Sequence, residues 1–110
     1  MMTLQEIGKM SLKNSGGFVA RIQFSYMDGD GEKHLSQQGN NITLGLTDTV
    51  DPGDLGVPDG SIVFMHVFVV WGNDNEARKA FLYKKGSQVL ASYDISGTTL
   101  SNDLGLIDIS

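Results

Sequence analysis

The chain has 110 residues, no cysteine and a formal net charge of −5, from 13 acidic and 8 basic residues. This length supports a single domain over residues 1–110, whose core needs neither disulfides nor a thiolate-bound metal. Nucleic-acid affinity depends on clustered lysine and arginine, so the acidic balance argues against a nucleic-acid partner and against electrostatic docking on anionic lipid.

The N-terminal segment, residues 1–8, lacks the basic start and the unbroken apolar run of a signal peptide. We therefore expect a cytoplasmic or non-classically secreted protein, with the compartment otherwise unknown. In residues 9–14, Met10 and Leu12 alternate with more polar positions. Alternation with a period of two predicts a strand that buries one face.

The other strands are expected to pack on residues 18–26. Turn-forming residues flank this segment, at 14–17 before it and at 28–31 after it, and the Asp-Gly pairs of the second turn predict a hairpin into a third strand over 32–36. Within the segment, five apolar side chains at alternate positions predict a half-buried antiparallel strand: Phe18, Ala20, Ile22, Phe24 and Tyr26.

Residues 40–46 show the same alternation, with Ile42, Leu44 and Leu46 on one face, and predict a fourth strand. Residues 47–60 contain four aspartates among prolines and glycines, a density of breakers that neither strand nor helix tolerates. A long loop that connects the two sheets of a sandwich is the predicted structure of this stretch.

The segment Ile62–Trp71 is the most hydrophobic of the chain and predicts a central strand, with His66 as a hydrogen-bonded core histidine. Its second face is also apolar. Three explanations of that face stay open: the loop 47–60 covers it, a second copy of the chain covers it and forms a homo-oligomer, or it is an exposed binding patch.

Further strands are predicted over residues 78–84, 89–95 and 104–109, and a turn with one short helical turn capped by Asn73 is predicted over 72–77. Eight short strands separated by turn signals indicate an all-β fold. The expected architecture is an antiparallel β-sandwich of two roughly four-stranded sheets.

The sequence contains few residues that could form a metal-binding or catalytic site. Its two histidines, His34 and His66, are too few for a convincing metal site without cysteines, and no motif resembles a nucleophile elbow, a phosphate loop or a zinc hydrolase. The acidic stretches 28–32 and 48–59 lack the spacing of an EF-hand and are interpreted as solvated turns. We expect no metal, no cofactor and no enzymatic activity.

Two stretches resemble the C-terminal, membrane-binding domain of the cholesterol-dependent cytolysins. The first runs from Leu12 to Arg21, with Phe24 and Tyr26 after it, and is similar to the strand that begins that domain. The second, Gly97-Thr98-Thr99-Leu100, is similar to the Gly-Thr-Thr-Leu loop of those toxins. The resemblance implies a β-sandwich without the pore-forming domains that precede it in the toxins.

The resemblance also implies that Thr99 and Leu100 recognise membrane sterol, with Trp71 as a further lipid contact. The family's tryptophan before this motif is replaced by Ser96, and its Cys- and Trp-rich loop corresponds to residues 69–78, which keep one tryptophan among polar residues. The other interpretation is that Thr99 begins the last strand and Leu100 is a core residue. Both interpretations stay open.

The predicted function is therefore a non-catalytic binding module whose partner is a membrane lipid or sterol. Burial of Leu100 alone would contribute about 1.5–3 kcal/mol, so stable attachment would need a specific pocket, more inserted side chains or several copies. The alternative is a glycan- or protein-binding module that uses outer-face residues such as Tyr83 and Tyr93, or a self-assembling protein joined through Ile62–Trp71.

Overall fold

A computed structural model of the chain describes residues 3–110; residues 1 and 2, part of the segment assessed for a signal peptide, lie outside that range. In chain order the described residues form these strands: β1 (Glu6–Ile7), β2 (Lys9–Asn14), β3 (Ala20–Met27), β4 (Lys33–Leu35), β5 (Thr47–Val50), β6 (Ile62–Val69), β7 (Asn75–Glu76), β8 (Phe81–Tyr83), β9 (Leu90–Gly97) and β10 (Asn102–Ile109). A short 3-10 helix, Pro52–Leu55, lies between β5 and β6.

The strands form two sheets, and the predicted all-β sandwich is confirmed. Sheet A has the order β1-β8-β6-β3-β4, and sheet B has the order β10-β9-β2-β5. β7 also pairs with β6, at His66 and Val67, on the same side as β8 but further along the strand. The prediction of a purely antiparallel sandwich with two four-stranded sheets needs correction. β1 pairs parallel with β8 and β2 pairs parallel with β9, and sheet A has six strands.

The core lies between the sheets and is built by alternate side chains. On β3, Ala20, Ile22 and Phe24 are completely buried, as the alternation predicts, whereas Tyr26 is only partly buried at the end of the strand. β3 pairs with β6 over its whole length, from Ala20 opposite Val69 to Met27 opposite Ile62. The long central pair therefore fixes the register of sheet A and the position of the loops at both ends.

The strand predicted over residues 40–46 is wrong. Only Ile42 is buried, through a single bridge to Ala20, while Leu44 and Leu46 are exposed. The chain turns at Gly45, whose φ of 86° suits glycine, and the Gly45 N–H donates to the Asn14 carbonyl. These turn hydrogen bonds outweigh the alternation of only three apolar side chains.

The long loop predicted over residues 47–60 is partly wrong as well. Its first part, Thr47–Val50, is the edge strand β5, which pairs antiparallel with β2. The Asp51 side chain accepts a hydrogen bond from the Gly53 N–H and caps the 3-10 helix, which has Pro52 in its first turn. Asp51 also accepts a hydrogen bond from Tyr83 of sheet A, so this connection is fixed to both sheets.

Three further predictions, about two tyrosines, the turn 72–77 and His66, need correction. Tyr83 and Tyr93, assigned to an outer face, both point into the core and are 1% exposed. The turn 72–77 contains β7 and no helical turn. His66 is hydrogen-bonded as predicted, but it lies on the outer face of β6 with 14% of its side chain exposed, and not in the core.

Two basic side chains from neighbouring strands of sheet A lie over the aromatic rings on the outer face of β6. Lys33 lies over the Phe64 ring at 4.8 Å and Arg21 over the Phe68 ring at 5.5 Å. Arg21 is held there by Asn41 and Gln38. The loop 47–60 is not among these contacts, and a homo-oligomer joined through this face stays a prediction. Since β6 has a hydrogen-bonded strand on each side, it offers no free edge for pairing with another chain.

Candidate functional site

The exposed tryptophan follows the end of β6 directly. Trp71 is 93% exposed and is the one non-glycine residue within 3–110 that has a positive φ, at 62°. The left-handed conformation costs a bulky L-residue roughly 1–2 kcal/mol, so the surrounding contacts must hold it. The Gly72 N–H donates to the Val69 carbonyl at 3.2 Å and closes the turn that presents the indole to solvent.

The Gly-Thr-Thr-Leu stretch connects β9 to β10. Gly97 has a φ of 102°, and the turn closes by hydrogen bonds between Thr98 and Ser101, with N–O distances of 2.9 and 3.1 Å. Leu100 is 70% exposed and Thr99 is half-buried. The alternative interpretation of Leu100 as a core residue is therefore wrong, and Thr99 belongs to the turn that precedes β10, not to the strand.

The two turns are joined to each other. The Asn73 backbone N–H donates to the Thr99 carbonyl at 2.9 Å, and the Asn73 side-chain amide donates to the Leu100 carbonyl at 3.0 Å. In return, the Asn102 amide donates to the Asn73 carbonyl at 2.9 Å. The structure thus brings the segments of all three sequence-predicted residues, Trp71, Thr99 and Leu100, to one end of the sandwich.

Two further segments reach the same end through the buried Asn14. Its side-chain amide donates to the carbonyls of Phe18 and Ile42 at 2.6 and 2.8 Å, and its carbonyl oxygen accepts from Gly16 at 2.9 Å. The Gly17 N–H then donates to the Gly97 carbonyl at 3.2 Å. Asn14 therefore connects the β2–β3 turn with the segment before β5, and Gly17 joins that turn to the β9–β10 turn.

Sequence reasoning missed Leu44 as a member of this end. Leu44 is 65% exposed and directly precedes Gly45, whose N–H donates to Asn14. The alternation had predicted a buried strand residue at this position. The one available signal was Gly45, which breaks the strand pattern directly after it. We call the four segments 15–17, 43–46, 70–73 and 98–101 together the loop tip.

The loop tip carries no charged residue. Its backbone amides and hydroxyl groups surround Leu44, Trp71 and Leu100 as its exposed large apolar side chains, together with Leu46 at its margin. Carboxylates stand just behind it, at Asp74 and Asp94, and the Ser15 hydroxyl donates to Asp94 at 2.5 Å. The surface is therefore neutral and partly apolar at its end, with an acidic margin.

A polar cluster on sheet A supports the Trp71 turn from behind. The His66 ring lies between two carboxylates, 3.0 Å from Glu76 and 3.1 Å from Asp74, and Asp74 accepts from the Val69 N–H at 3.1 Å. Partial burial works to raise the pKa of Glu76, but hydrogen bonds from Lys33, Ser25 and His66 lower it below its usual value. Glu76 is thus held ionised at neutral pH.

The acidic β3–β4 turn contains the other polar cluster. Asp28, Asp30 and His34 bring one ligand atom each within 4.8 Å of one another. The backbone N–H of Glu32, followed by contacts with Asp28 and His34, lowers the pKa of Asp30. Asp28 and Asp30 are exposed and His34 is half-buried on β4, and their hydrogen bonds lie within this hairpin.

Within residues 3–110, no helix has the length and apolar character that a membrane span requires.

The fold is similar to one part of several solved toxin structures. The human-specific toxin intermedilysin superimposes with a TM-score of 0.52 at 18% identity, over 94% of this chain and 23% of the toxin. The cytotoxin suilysin from Streptococcus suis gives a TM-score of 0.51 at 17% identity, over 94% and 23%. This chain has a cytolysin-like fold. The resemblance that the sequence indicated is confirmed at the level of the fold.

This chain spans about a quarter of the length of the toxins that it matches. The isolated membrane-binding domain of pneumolysin superimposes with a TM-score of 0.47 at 16% identity, over 92% of this chain and 96% of that domain. No protein-family model matches the chain, and no curated protein matches it. The roles of Thr99, Leu100 and Trp71 in lipid contact therefore stay predictions.

Proposed function

We propose that this protein is a non-catalytic, cytolysin-like binding module that attaches to a neutral lipid surface through the loop tip and recognises sterol there. The observation that carries the proposal is the exposure of Trp71, in a conformation that costs free energy, on a turn hydrogen-bonded to the Thr99–Leu100 turn. A strained backbone that presents an indole to solvent favours a role for that side chain in contact with a partner.

The chemistry of the tip suits a sterol. The Thr99 side-chain hydroxyl makes no hydrogen bond to another residue within 3–110, so it is available to the sterol hydroxyl. Leu100 beside it would cover the apolar ring edge. The resemblance of Gly97–Leu100 to the cytolysin motif supports the same assignment.

The magnitude of the apolar contribution sets the strength of attachment. Burial of Leu44, Trp71 and Leu100 would contribute roughly 4.5–9 kcal/mol in sum, at about 1.5–3 kcal/mol each. Association costs an estimated 4 kcal/mol or more in lost freedom of motion, so a single copy binds weakly and reversibly. Specific sterol contacts or several copies on one surface would strengthen the attachment.

The charge of the tip sets the kind of lipid. No lysine or arginine lies in the loop tip, and aspartates stand behind it. Anionic lipid would therefore be repelled rather than attracted, since basic residues are what anionic headgroups bind. We expect attachment to zwitterionic vesicles to vary little with salt concentration.

The test is sedimentation with phosphatidylcholine vesicles that contain increasing fractions of cholesterol. Wild-type protein is expected to sediment increasingly with cholesterol, and Leu100→Asp is expected to reduce the sedimented fraction at least tenfold, because a buried charge is strongly disfavoured. The matched control is Leu35→Asp, since Leu35 is equally an exposed leucine but lies on β4 at the other end of β3.

The proposal fails if wild-type protein stays in the supernatant at every cholesterol content. It fails equally if Leu35→Asp lowers sedimentation as much as Leu100→Asp does. Circular dichroism of each variant separates loss of binding from loss of fold.

A further inference from the structure

A groove that none of the loop-tip residues lines opens between β10 and the segment formed by β7 and the residues after it. Its volume is about 380 Å³, near the lower end of the roughly 300–1,000 Å³ that small-molecule pockets have. Six of its lining residues combine charge, a buried hydroxyl and apolar surface, and they are Arg78, Lys79, Tyr93, Asp103, Leu104 and Leu106.

Tyr93 is the unusual member of this lining. It is 1% exposed, and its hydroxyl is the one buried side-chain polar atom in the described part of the chain that lacks a hydrogen-bond partner. Leaving such a group without a partner is destabilising, a cost that phenylalanine in the same place would avoid. Burial raises the pKa of Tyr93 to about 12. The hydroxyl carries its proton at neutral pH, as any phenol does, and its O–H donor needs an acceptor.

The charges around the groove favour an anionic acceptor. Arg78 and Lys79 are exposed, and neither forms an ion pair within residues 3–110. The carboxylate of Glu76 is turned to the outer face of sheet A, where Lys33 and His66 hold it. Asp103 is the remaining carboxylate, so the lining has two cations and one such carboxylate in a chain whose net charge is −5. The Lys79 ammonium also lies 5.5 Å from the centre of the Phe81 ring.

The apolar part of the lining limits the ligand further. Leu104 is half-buried and Leu106 is exposed, and both line the groove together with Tyr93. A guanidinium group forms two parallel hydrogen bonds to a carboxylate, a geometry that suits Arg78 to this group. Asp103 would repel a second negative charge on the same ligand.

We propose that this groove binds a small organic monocarboxylate with an apolar body. The Tyr93 hydroxyl and the Arg78 guanidinium donate to the carboxylate, Lys79 adds positive charge, and Leu104 and Leu106 contact the apolar part. Because the hydroxyl is shielded from solvent, binding requires the side chains at the rim to change rotamer. Arg78 and Leu106 are exposed and have that freedom.

The test is an NMR titration of the full chain with hexanoate, monitored through the backbone amide signals. We expect saturable shifts at residues 76–79, 93 and 103–106, and none with hexanamide, which has the same shape without the charge. A hydrogen bond to a charged group contributes about 1.5–3 kcal/mol, so Tyr93→Phe should weaken hexanoate binding roughly 10- to 150-fold. Arg78→Gln should weaken it by a similar factor.

Two variants serve as controls. Tyr26→Phe removes a hydroxyl from a tyrosine that does not line the groove and whose ring lies 5.4 Å from that of His34, and it should keep wild-type affinity. Leu100→Asp alters the loop tip and should also keep the wild-type affinity for hexanoate. This variant therefore distinguishes a failure of the groove proposal from a failure of the lipid proposal. Tyr93→Phe itself should be at least as stable as wild type in urea, since it loses an unpaired buried hydroxyl.

Several outcomes would overturn the assignment. One is the absence of saturable shifts with hexanoate, and another is equal binding of hexanamide. Unchanged affinity in Tyr93→Phe would show that the hydroxyl does not contact the ligand. Inorganic phosphate that shifts the same signals with equal affinity would show a general anion site and remove the carboxylate assignment.

Discussion

Gly72 lies directly against Thr99, so closely that a Cβ atom on residue 72 would overlap the Thr99 carbonyl oxygen. That oxygen already accepts the Asn73 N–H at 2.9 Å. The close approach of the two backbones is what joins the exposed indole of Trp71 to the Gly-Thr-Thr-Leu turn. The spacing between these turns therefore depends on a residue without a side chain.

Gly72→Ala is expected to force the two turns apart. Overpacking of this kind typically costs about 1–3 kcal/mol, and we expect that loss in the free energy of unfolding measured in urea. Lipid sedimentation should fall together with stability, since the tip loses its shape. Gly29→Ala is the control, because a Cβ at Gly29 meets no atom within 4 Å and should leave both quantities close to wild type.

Asn14→Ala should destabilise the protein on the order of 3 kcal/mol, because two buried carbonyls lose a donor and one N–H loses an acceptor. Asn40→Ala, at an exposed asparagine, should change the unfolding free energy by less than about 0.5 kcal/mol. Equal effects of the two substitutions in a urea titration would show that Asn14 does not connect the turns.

The lowered pKa of Glu76 predicts how the free energy of unfolding changes in acid. Its pKa in the folded protein lies below the ordinary value of 4.5, so the folded state binds fewer protons than the unfolded state in this range. The contribution of Glu76 is complete above pH 4.5 and is lost as the pH falls through the lower, folded-state pKa. Urea midpoints measured between pH 6 and pH 2 should therefore decline less steeply in Glu76→Gln than in wild type.

Glu32→Gln is the companion variant for that measurement, because Glu32 is an exposed glutamate in the neighbouring hairpin. It should keep the acid decline of the wild type. A Glu76→Gln curve that runs parallel to wild type across the whole range would contradict the proposed role of the Lys33, Ser25 and His66 hydrogen bonds.

The cations over the outer face of β6 predict the behaviour of that face in solution. Replacing both Arg21 and Lys33 by alanine uncovers the rings of Phe68 and Phe64, and we expect increased self-association in light scattering at high protein concentration. A control pair, Lys84→Ala with Lys85→Ala, removes the same charge at an exposed turn. If both double variants associate equally, lost charge and not the uncovered rings is the cause.

The sequence by itself determined the elements whose pattern is long and regular. Residues 9–14 are β2 with the predicted bounds, and residues 18–26 overlap β3, where eight consecutive residues pair with β6. Each additional alternating pair adds burial of one face, so a long alternation outweighs local turn preferences. The same argument explains why three alternating apolar residues in 40–46 were insufficient to form a strand. It also explains why Thr47–Val50, which has only one apolar residue, was not predicted as an edge strand.

Only the tertiary structure decided which strands are neighbours and what stands at the end of the sandwich. Alternation carries no information on partner or direction, so the parallel pairings of β1 with β8 and of β2 with β9 could not be foreseen. The motif pointed to Thr99 and Leu100, and the tertiary fold added Leu44 and placed the Trp71 turn beside them. Contacts between segments distant in sequence depend on packing, which no local pattern records.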